Sequence, residues 1–289
     1  MKKLFFMMTI LCVVATTTVF SSVTDIHASS FDIEDLHDDG SITISTDIPD
    51  VFIEQHSSGK TGNVKLVGKD WNRFNVSVGQ LDGHVSIQVE LKEEQQSNQT
   101  KQIHAELHIV LPKDFQQGSL YVDTYAGDCK ITSAIACSDL GLSTYSGTIG
   151  TLVIDVSEQA VLTTYSGSIT GRALSARTIT LSTASGNIKF NRLDVGRNGT
   201  FEAQSMSGNV EINDMVAYHV KIDSISGCVK CNIPKHFNGP VVARTVAGKI
   251  QNNYQNLPEA TIQTVHEDQN TSNDFLYIST ITGAITITK

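Results

Sequence analysis

The sequence predicts an all-β solenoid built from rungs of about 20 residues. A four-residue motif that begins with Thr or Ser and ends with Gly recurs through the second half of the chain. The residues around each motif alternate between apolar and polar, which is typical of β-strands. The motif glycines are Gly127, Gly147, Gly167, Gly186, Gly208, Gly227, Gly248 and Gly283, separated by 20, 20, 19, 22, 19, 21 and 35 residues. Repeats of this length stack, so that neighbours bury a core that one repeat cannot form.

The alternation assigns the positions of each rung to faces. Counted back from the glycine, positions −7 and −5 are apolar, as in Leu140 and Leu142, and position −3 is Thr or Ser. Residues two apart on a strand share a face, so we expect −7, −5, −3 and −1 to point inward and −2 outward. A glycine at every corner indicates either a positive φ or a backbone approach too close for a Cβ.

The first third of the chain repeats part of this signature. Gly40, Gly62 and Gly83 each begin a Gly-x-apolar-x-apolar segment, at spacings of 22 and 21 residues, and residues 103–111 alternate without a glycine. We therefore expect one continuous solenoid, with irregular rungs over 31–118 and regular rungs over 119–289, rather than two domains. The polar stretches 92–101 and 251–274 are expected to be surface loops.

The N-terminus has the features of an export signal. Lys2 and Lys3 precede an uncharged run from Leu4 to Thr24, and such a segment places the downstream chain outside the cytoplasm. Residues 1–28 are expected to be either a signal peptide, cleaved after Ala28, or a retained signal anchor, since the run is just long enough to span a bilayer. Both interpretations stay open at this point.

Charge and cysteine usage narrow the classes of partner and cofactor. The formal net charge is −9, which argues against nucleic acid or anionic lipid as the main partner. Beyond the export segment the cysteines are Cys129, Cys137, Cys228 and Cys231. Four thiols in a chain of this length do not make a disulfide framework. Cys228 and Cys231 point to opposite faces of a strand, so we expect buried, unreactive thiols at the core positions Cys129 and Cys231.

The repeat is similar to that of a known family. Leu111-Pro112 leads into repeated Leu-x-Leu-x-Thr-x-Ser-Gly-x-Ile units behind an export signal. This pattern resembles the bacterial "putative adhesin" family of β-strand-repeat proteins, which includes LiaG-like envelope-stress proteins. The resemblance covers most of the chain and implies a right-handed, single-stranded β-helix-like solenoid with a role in the cell envelope. Its motif describes a fold and brings no catalytic residue or ligand with it.

Three tyrosines at position −2 are the candidate binding residues. Tyr125, Tyr145 and Tyr165 occupy the same outward position in successive rungs. Stacking would align them into an exposed aromatic ladder of the kind that lies against sugar rings or a partner surface. The alternative is that the rings only stabilise the sheet through cross-strand contacts.

Other candidate constellations favour structural roles. The hydroxyls at −3 and −1 have no His or Asp recurring beside them to activate a nucleophile. His104, Glu106 and His108 share one face of a strand, but spacings of two residues suit metal binding poorly. The outward −4 column shows none of the clustered Asp, Arg or Lys that extracellular β-helix polysaccharide enzymes use. We therefore expect no cofactor, no metal site and no catalytic residue.

The sequence thus favours a non-catalytic extracytoplasmic protein, secreted or anchored to the outer face of the cell membrane. Its solenoid flank would bind an envelope macromolecule, either protein or glycan, and the family resemblance suggests a link to envelope stress. Two alternatives remain. One is a membrane-anchored accessory subunit of an envelope signalling system, and the other is a polysaccharide-acting β-helix enzyme.

Overall fold

The computed structural model of the chain describes residues 29–32, 40–55, 58, 61–92, 103–234, 237, 241–252, 262–264 and 274–288. The predicted export segment 1–28 and most of the two polar stretches lie outside these residues. The described part of the chain is almost entirely β, with one turn of 3-10 helix at Trp71–Arg73. No helix in that part is long and apolar enough to cross a membrane.

The strands follow one another along the chain with short connections. They are β1 (Ser29–Asp32), β2 (Ser41–Thr46), β3 (Asp50–Gln55), β4 (Thr61–Val67), β5 (Phe74–Leu81), β6 (His84–Leu91), β7 (Glu106–Leu111), β8 (Ser119–Thr124), β9 (Cys129–Thr144), β10 (Ile149–Thr164), β11 (Ile169–Ser175), β12 (Thr178–Thr183), β13 (Ile188–Ser205), β14 (Val210–Ile212), β15 (Met215–Ser224), β16 (Val229–Asn232), β17 (Val241–Thr245), β18 (Ile250–Asn252), β19 (Ile262–Thr264), β20 (Phe275–Thr280) and β21 (Ile285–Thr288).

The core lies between two faces, each built mainly of parallel strands. Each rung contributes one strand to each face. Face A runs in the order β5, β6, β2, β8, second half of β9, second half of β10, β12, second half of β13, β15, β20, β17, β19. Face B runs in the order β1, β4, β7, β3, first half of β9, first half of β10, β11, first half of β13, β14, β16, β21, β18. The motif glycine stands at the corner where a rung passes from face A to face B. The all-β solenoid predicted from the sequence is confirmed.

The core between the faces is made of stacked like residues. Leu120, Leu140, Ala160 and Ile179 are paired in succession on face A, and all are at most 1% exposed. On face A each regular rung presents two such side chains before its corner, at −7 and −5, so burial depends on the neighbouring rungs. The predicted inward positions −7 and −5 are therefore correct.

The order of rungs in space departs from their order in sequence at both ends. The rung of β2 and β3 lies between that of β6 and β7 and that of β8 and β9. At the other end the rung of β20 and β21 lies between that of β15 and β16 and that of β17 and β18. A repeat period shows which residues are equivalent, but it does not fix which rungs are neighbours.

The predicted register of the N-terminal glycines is wrong. Ser41 pairs with both His84 and Ser119, so Gly40 and Gly83 line up with Gly118 at the start of the face A strands and not with the corner glycines. Gly62 lies in β4, an antiparallel strand of face B. In the rung of β2 and β3 the corner position is taken by Pro49, whose carbonyl oxygen faces Gly127.

Antiparallel strands flank the parallel stack. β5 covers β6 at one end of face A, and β19 pairs with β17 at the other. On face B, β4 and β1 cover β7. Covering the terminal parallel strands reduces the backbone left open to pairing with another chain.

Candidate binding surface

A threonine or serine clamp shapes the glycine corners of the rungs from Thr144 to Thr280. Thr164 Oγ1 accepts a hydrogen bond from Gly167 N at 3.0 Å and donates one to the carbonyl oxygen of Gly147, in the rung before, at 3.0 Å. The same donation from −3 to the neighbouring glycine carbonyl recurs along the stack, at Thr144, Thr183, Ser205, Ser224, Thr280 and Thr245. The −3 hydroxyls are thus buried and hydrogen-bonded, so the clamp fixes the corner geometry.

The corner glycines are required by close approach. None of them has a positive φ, which among the described glycines occurs at Gly68, Gly83 and Gly196. A Cβ on Gly167 would instead overlap the carbonyl group of Gly147. The contact repeats from rung to rung in the spatial order Gly127, Gly147, Gly167, Gly186, Gly208, Gly227, Gly283 and Gly248. The sequence left open either a positive φ or a close backbone approach as the reason for these glycines, and the reason is close approach.

Position −1 points outward, contrary to the prediction from strand alternation. Ser146, Ser166, Ser185, Ser207 and Ser226 are all exposed. The strand ends at −3, and the next three residues form a bend, so the period of two no longer applies at −1. The −2 and −1 side chains consequently both face solvent at the corner.

The three tyrosines form the predicted stack at the −2 position. The ring centroids of Tyr125 and Tyr145 are 5.1 Å apart with an interplanar angle of 1°, and those of Tyr145 and Tyr165 are 5.0 Å apart at 3°. The side chains are 62%, 45% and 57% exposed in chain order. We call this stack the tyrosine ladder. It is a preformed aromatic surface, because the backbone of each rung is hydrogen-bonded to the next.

An apolar stripe continues the tyrosine ladder along the same edge. Beyond Ala184 the −2 position holds large exposed apolar side chains, in spatial order Met206, Ile225, Ile281 and Val246. Exposed apolar side chains in a continuous row are characteristic of interaction surfaces. The tyrosine ladder is therefore one end of a longer apolar edge.

A fourth tyrosine extends the aromatic surface onto face A. Tyr121, 43% exposed, lies over Gly141 in the next rung, where a Cβ would approach its ring to 2.7 Å. Between Tyr121 and Tyr125 on the same outward face stands Asp123, whose pKa is raised by partial burial and lowered to a smaller extent by a hydrogen bond from Ser143. Tyr121 was not among the residues predicted from the sequence. The signal was a glycine in mid-strand, directly opposite a tyrosine in the pairing register.

The histidine cluster on β7 is only partly assembled. His104 precedes the strand, and its backbone N donates to Asp70 Oδ2 at 2.9 Å. His108 Nε2 lies 3.0 Å from Glu106 Oε2, and its ring stacks on Phe52 with centroids 4.9 Å apart. Within the described residues no three His, Cys, Asp or Glu side chains are grouped so as to hold a metal ion.

The cysteines divide into buried and exposed thiols. Cys129, Cys137 and Cys231 are buried and Cys228 is exposed, and all four are free thiols. Burial raises the pKa of each of the three buried thiols to about 12. They are therefore protonated and shielded at neutral pH, which agrees with the core role expected for Cys129 and Cys231.

A shallow depression of 360 Å³ lies at the opposite corner of the solenoid, where Arg177 and Asp194 are among its lining residues. Arg177 is paired with Glu158 at 2.9 Å, and Asp194 is paired with Arg192 at 3.2 Å. Paired, solvated charges of this kind are common on protein surfaces. The depression accordingly has the character of a charged surface.

Family comparison agrees with the fold. Residues 40–288 match the family model described as Toastrack DUF4097, and the chain belongs to that family. No curated protein matches the chain. A solved "putative adhesin" from Bacteroides fragilis NCTC 9343 superposes with a TM-score of 0.51 at 12% identity, covering 91% of this chain and 98% of its own. Another "putative adhesin", from Parabacteroides distasonis ATCC 8503, gives a TM-score of 0.51 at 12% identity over 90% and 95% of the two chains. At this identity the likeness concerns the fold.

Proposed function

We propose that this protein is a non-catalytic, extracytoplasmic binding module of the cell envelope or cell surface, and that the tyrosine ladder contacts its macromolecular partner. The observation that carries the proposal is a stack of three exposed aromatic rings on a rigid edge, continued by apolar side chains. The export signal expected at residues 1–28 and the adhesin descriptions of the structural neighbours support the location.

The tyrosine ladder is preorganised for binding. A tyrosine offers a large amphipathic contact area with few rotatable bonds, and stacking on both sides already limits the rotamers of Tyr145. A partner that docks on the ladder therefore loses less conformational entropy than it would on isolated side chains. The phenolic hydroxyls add hydrogen-bonding groups along the outer rim of the ladder.

The hydroxyl groups of the corners are unsuited to catalysis. The −3 hydroxyls are consumed by the corner clamp, as Thr144 and Thr164 show. Ser146, in the exposed −1 column, has its Oγ within 3.4 Å of the carbonyl oxygen of Tyr125. Neither arrangement supplies the base that an activated serine or threonine needs.

The binding proposal is tested by capture. The full-length chain, immobilised in detergent, is incubated with solubilised envelope fractions and compared with a triple variant carrying Tyr125→Ser, Tyr145→Ser and Tyr165→Ser. The matched control is Leu152→Ser, which removes an exposed apolar side chain from the face B side. We expect capture to be lost in the triple variant and kept in the control. Equal capture by all three proteins would show that the ladder only stabilises the sheet.

The location is tested with the exposed thiol. Intact cells that express the protein are treated with a membrane-impermeant maleimide, which should label Cys228 because its side chain is exposed. The Cys228→Ser variant is the control for labelling elsewhere. Labelling only after the cells are lysed would place the solenoid inside the cytoplasm and contradict the proposal.

A further inference from the structure

The tyrosine ladder is interrupted at Ala184, where the −2 side chain is only a methyl group. Ser185 N donates to the carbonyl oxygen of Tyr165, and Ser207 N donates to that of Ala184, both at 3.0 Å. Tyr165, Ala184 and Met206 therefore occupy the −2 position of three successive rungs. We call the space above Ala184, between Tyr165 and Met206, the ladder gap.

One ring face of Tyr165 borders this gap. Tyr145 has a ring on each side and is 45% exposed, whereas Tyr165 has a ring on one side only and is 57% exposed. The far side of the gap is the exposed side chain of Met206, a flexible thioether that packs well against rings. The gap thus has an aromatic wall, a methyl floor and an adaptable second wall.

The dimensions of the gap match one ring. Successive rungs are about 4.8 Å apart, so Tyr165 and Met206 are separated by roughly 10 Å, two rung spacings. A ring placed midway would lie about 5 Å from Tyr165, within the range of favourable ring-on-ring contacts. The ladder itself shows this spacing, with centroids of Tyr145 and Tyr165 5.0 Å apart.

The rim of the gap is polar and uncharged. On one side the −1 column contributes Ser166, Ser185 and Ser207, which are all exposed. On the other side the −4 column contributes Thr163, Ser182 and Gln204. Neither column has a charged side chain over these three rungs. Gln204 donates one amide hydrogen to Glu202 Oε1 at 2.8 Å, and that carboxylate is paired with Lys221. The hydroxyls and the remaining amide groups of the rim are neutral hydrogen-bond donors and acceptors on both sides of an apolar floor.

We propose that the ladder gap binds one pyranose residue of a neutral glycan, with an apolar C–H face of the sugar on Tyr165 and its hydroxyls toward the serine and −4 columns. The inference rests on the proposed function, because it assumes that this edge is where the protein binds its partner. A sugar suits the gap because it combines an apolar ring face with a circumference of neutral hydroxyls. The net charge of −9 disfavours acidic polysaccharides.

The decisive variant is Ala184→Tyr, which should extend the ladder by one ring and fill the gap. Binding of the full-length chain to neutral oligosaccharides built from glucose, mannose, galactose or N-acetylglucosamine is followed by saturation-transfer NMR and titration. We expect at least one of these probes to bind, and Ala184→Tyr and Tyr165→Ala to weaken it about tenfold or more. Ala184→Ser, which leaves the gap open, should bind as the unmodified chain does. If Ala184→Tyr does not fold by circular dichroism, Ala184→Ile replaces it, since Ile225 occupies the same position elsewhere.

The outcomes separate this inference from the proposed function. Unchanged oligosaccharide binding by Ala184→Tyr, or no binding of any neutral oligosaccharide to the unmodified chain, overturns the glycan inference. If Ala184→Tyr abolishes capture of an envelope protein while no oligosaccharide binds, a protein side chain fills the gap and the inference is likewise wrong. In each case the proposed function stands as long as the triple tyrosine variant loses envelope capture. The binding part of the proposed function fails if that variant captures normally.

Discussion

Replacing Gly167 with alanine should weaken the solenoid severely, although it adds a single methyl group. The Cβ would overlap the carbonyl group of Gly147 in the neighbouring rung. Backbone atoms cannot rotate away as a flexible side chain does, so the two rungs must move apart at this corner. Separating the rungs would stretch the hydrogen bond from Thr164 Oγ1 to Gly147 O, and displacing residue 167 within its own rung would stretch the one from its N to Thr164 Oγ1; both are 3.0 Å long.

The expected loss of stability follows from these two effects. Forcing an extra methyl into a packed site costs about 1–3 kcal/mol, and each weakened hydrogen bond adds about 1 kcal/mol. The free energy of unfolding should therefore fall by about 3–5 kcal/mol, a large part of the 5–15 kcal/mol typical of a folded domain. A repeat protein distributes stability among neighbouring rungs, so local opening near residues 147–167 should precede global unfolding.

The matched control is Gly150→Ala in the adjoining strand. There a Cβ would meet Lys130 Cγ at 3.7 Å and Thr170 Oγ1 at 4.0 Å, ordinary contacts, so stability should change by less than about 1 kcal/mol. Urea unfolding followed by far-ultraviolet circular dichroism gives both values. A loss for Gly167→Ala below about 1 kcal/mol, or an equal loss in the control, would refute close approach as the reason for the corner glycines.

Three further predictions concern the clamp and the thiols. Thr164→Val removes the clamp hydroxyl at nearly constant volume and should lower the free energy of unfolding by about 1–3 kcal/mol. Thr163→Val, on the exposed side of the strand, should change it by less than about 0.5 kcal/mol. Chemical unfolding compares the two variants, and equal effects would contradict the clamp. Alkaline pH should also destabilise the fold, because buried thiols stay protonated up to about 12 while unfolded thiols ionise near 9.0. The folded state then holds more protons, so stability falls as pH rises above 9, by up to about 1.4 kcal/mol per pH unit for each thiol. Denaturant midpoints between pH 8 and 11 measure this, and Cys129→Ala should reduce the slope. Alkylation of the native protein at pH 8 should modify Cys228 alone among the described cysteines, and rapid modification of the other three would show that they are accessible.

The local features of a rung could be predicted from the sequence because each is set by residues close together in the chain. Leu140 and Leu142 face the core, Thr144 is buried, and Tyr145 faces solvent, as a strand period of two requires. The prediction failed at Ser146 because the bend begins before it. The alternation of side chains between the two faces of a strand holds only while the backbone remains extended.

The arrangement of rungs could not be predicted, because it depends on contacts distant in sequence. Gly40 and Gly83 have the spacing of the repeat, yet they belong to the start of a strand and not to a corner. Pro49 carries out the corner role of that rung without a glycine, so the glycine motif does not mark it. At position 184 the sequence shows an alanine after three tyrosines in the −2 column, but the size of the gap follows only from the stacking distance.

The last two rungs stack in the reverse of their sequence order, and this makes the docking of one depend on the other. Residues 241–252 pair with β20 and β21 on the parallel side, and these strands also join them to β15 and β16. The rung of β17 and β18 therefore has no parallel partner until residues 275–288 have reached their place, and it cannot be added in the order of synthesis. During synthesis that segment would stay undocked until the following strands arrive, so folding closes this end of the solenoid in one late step.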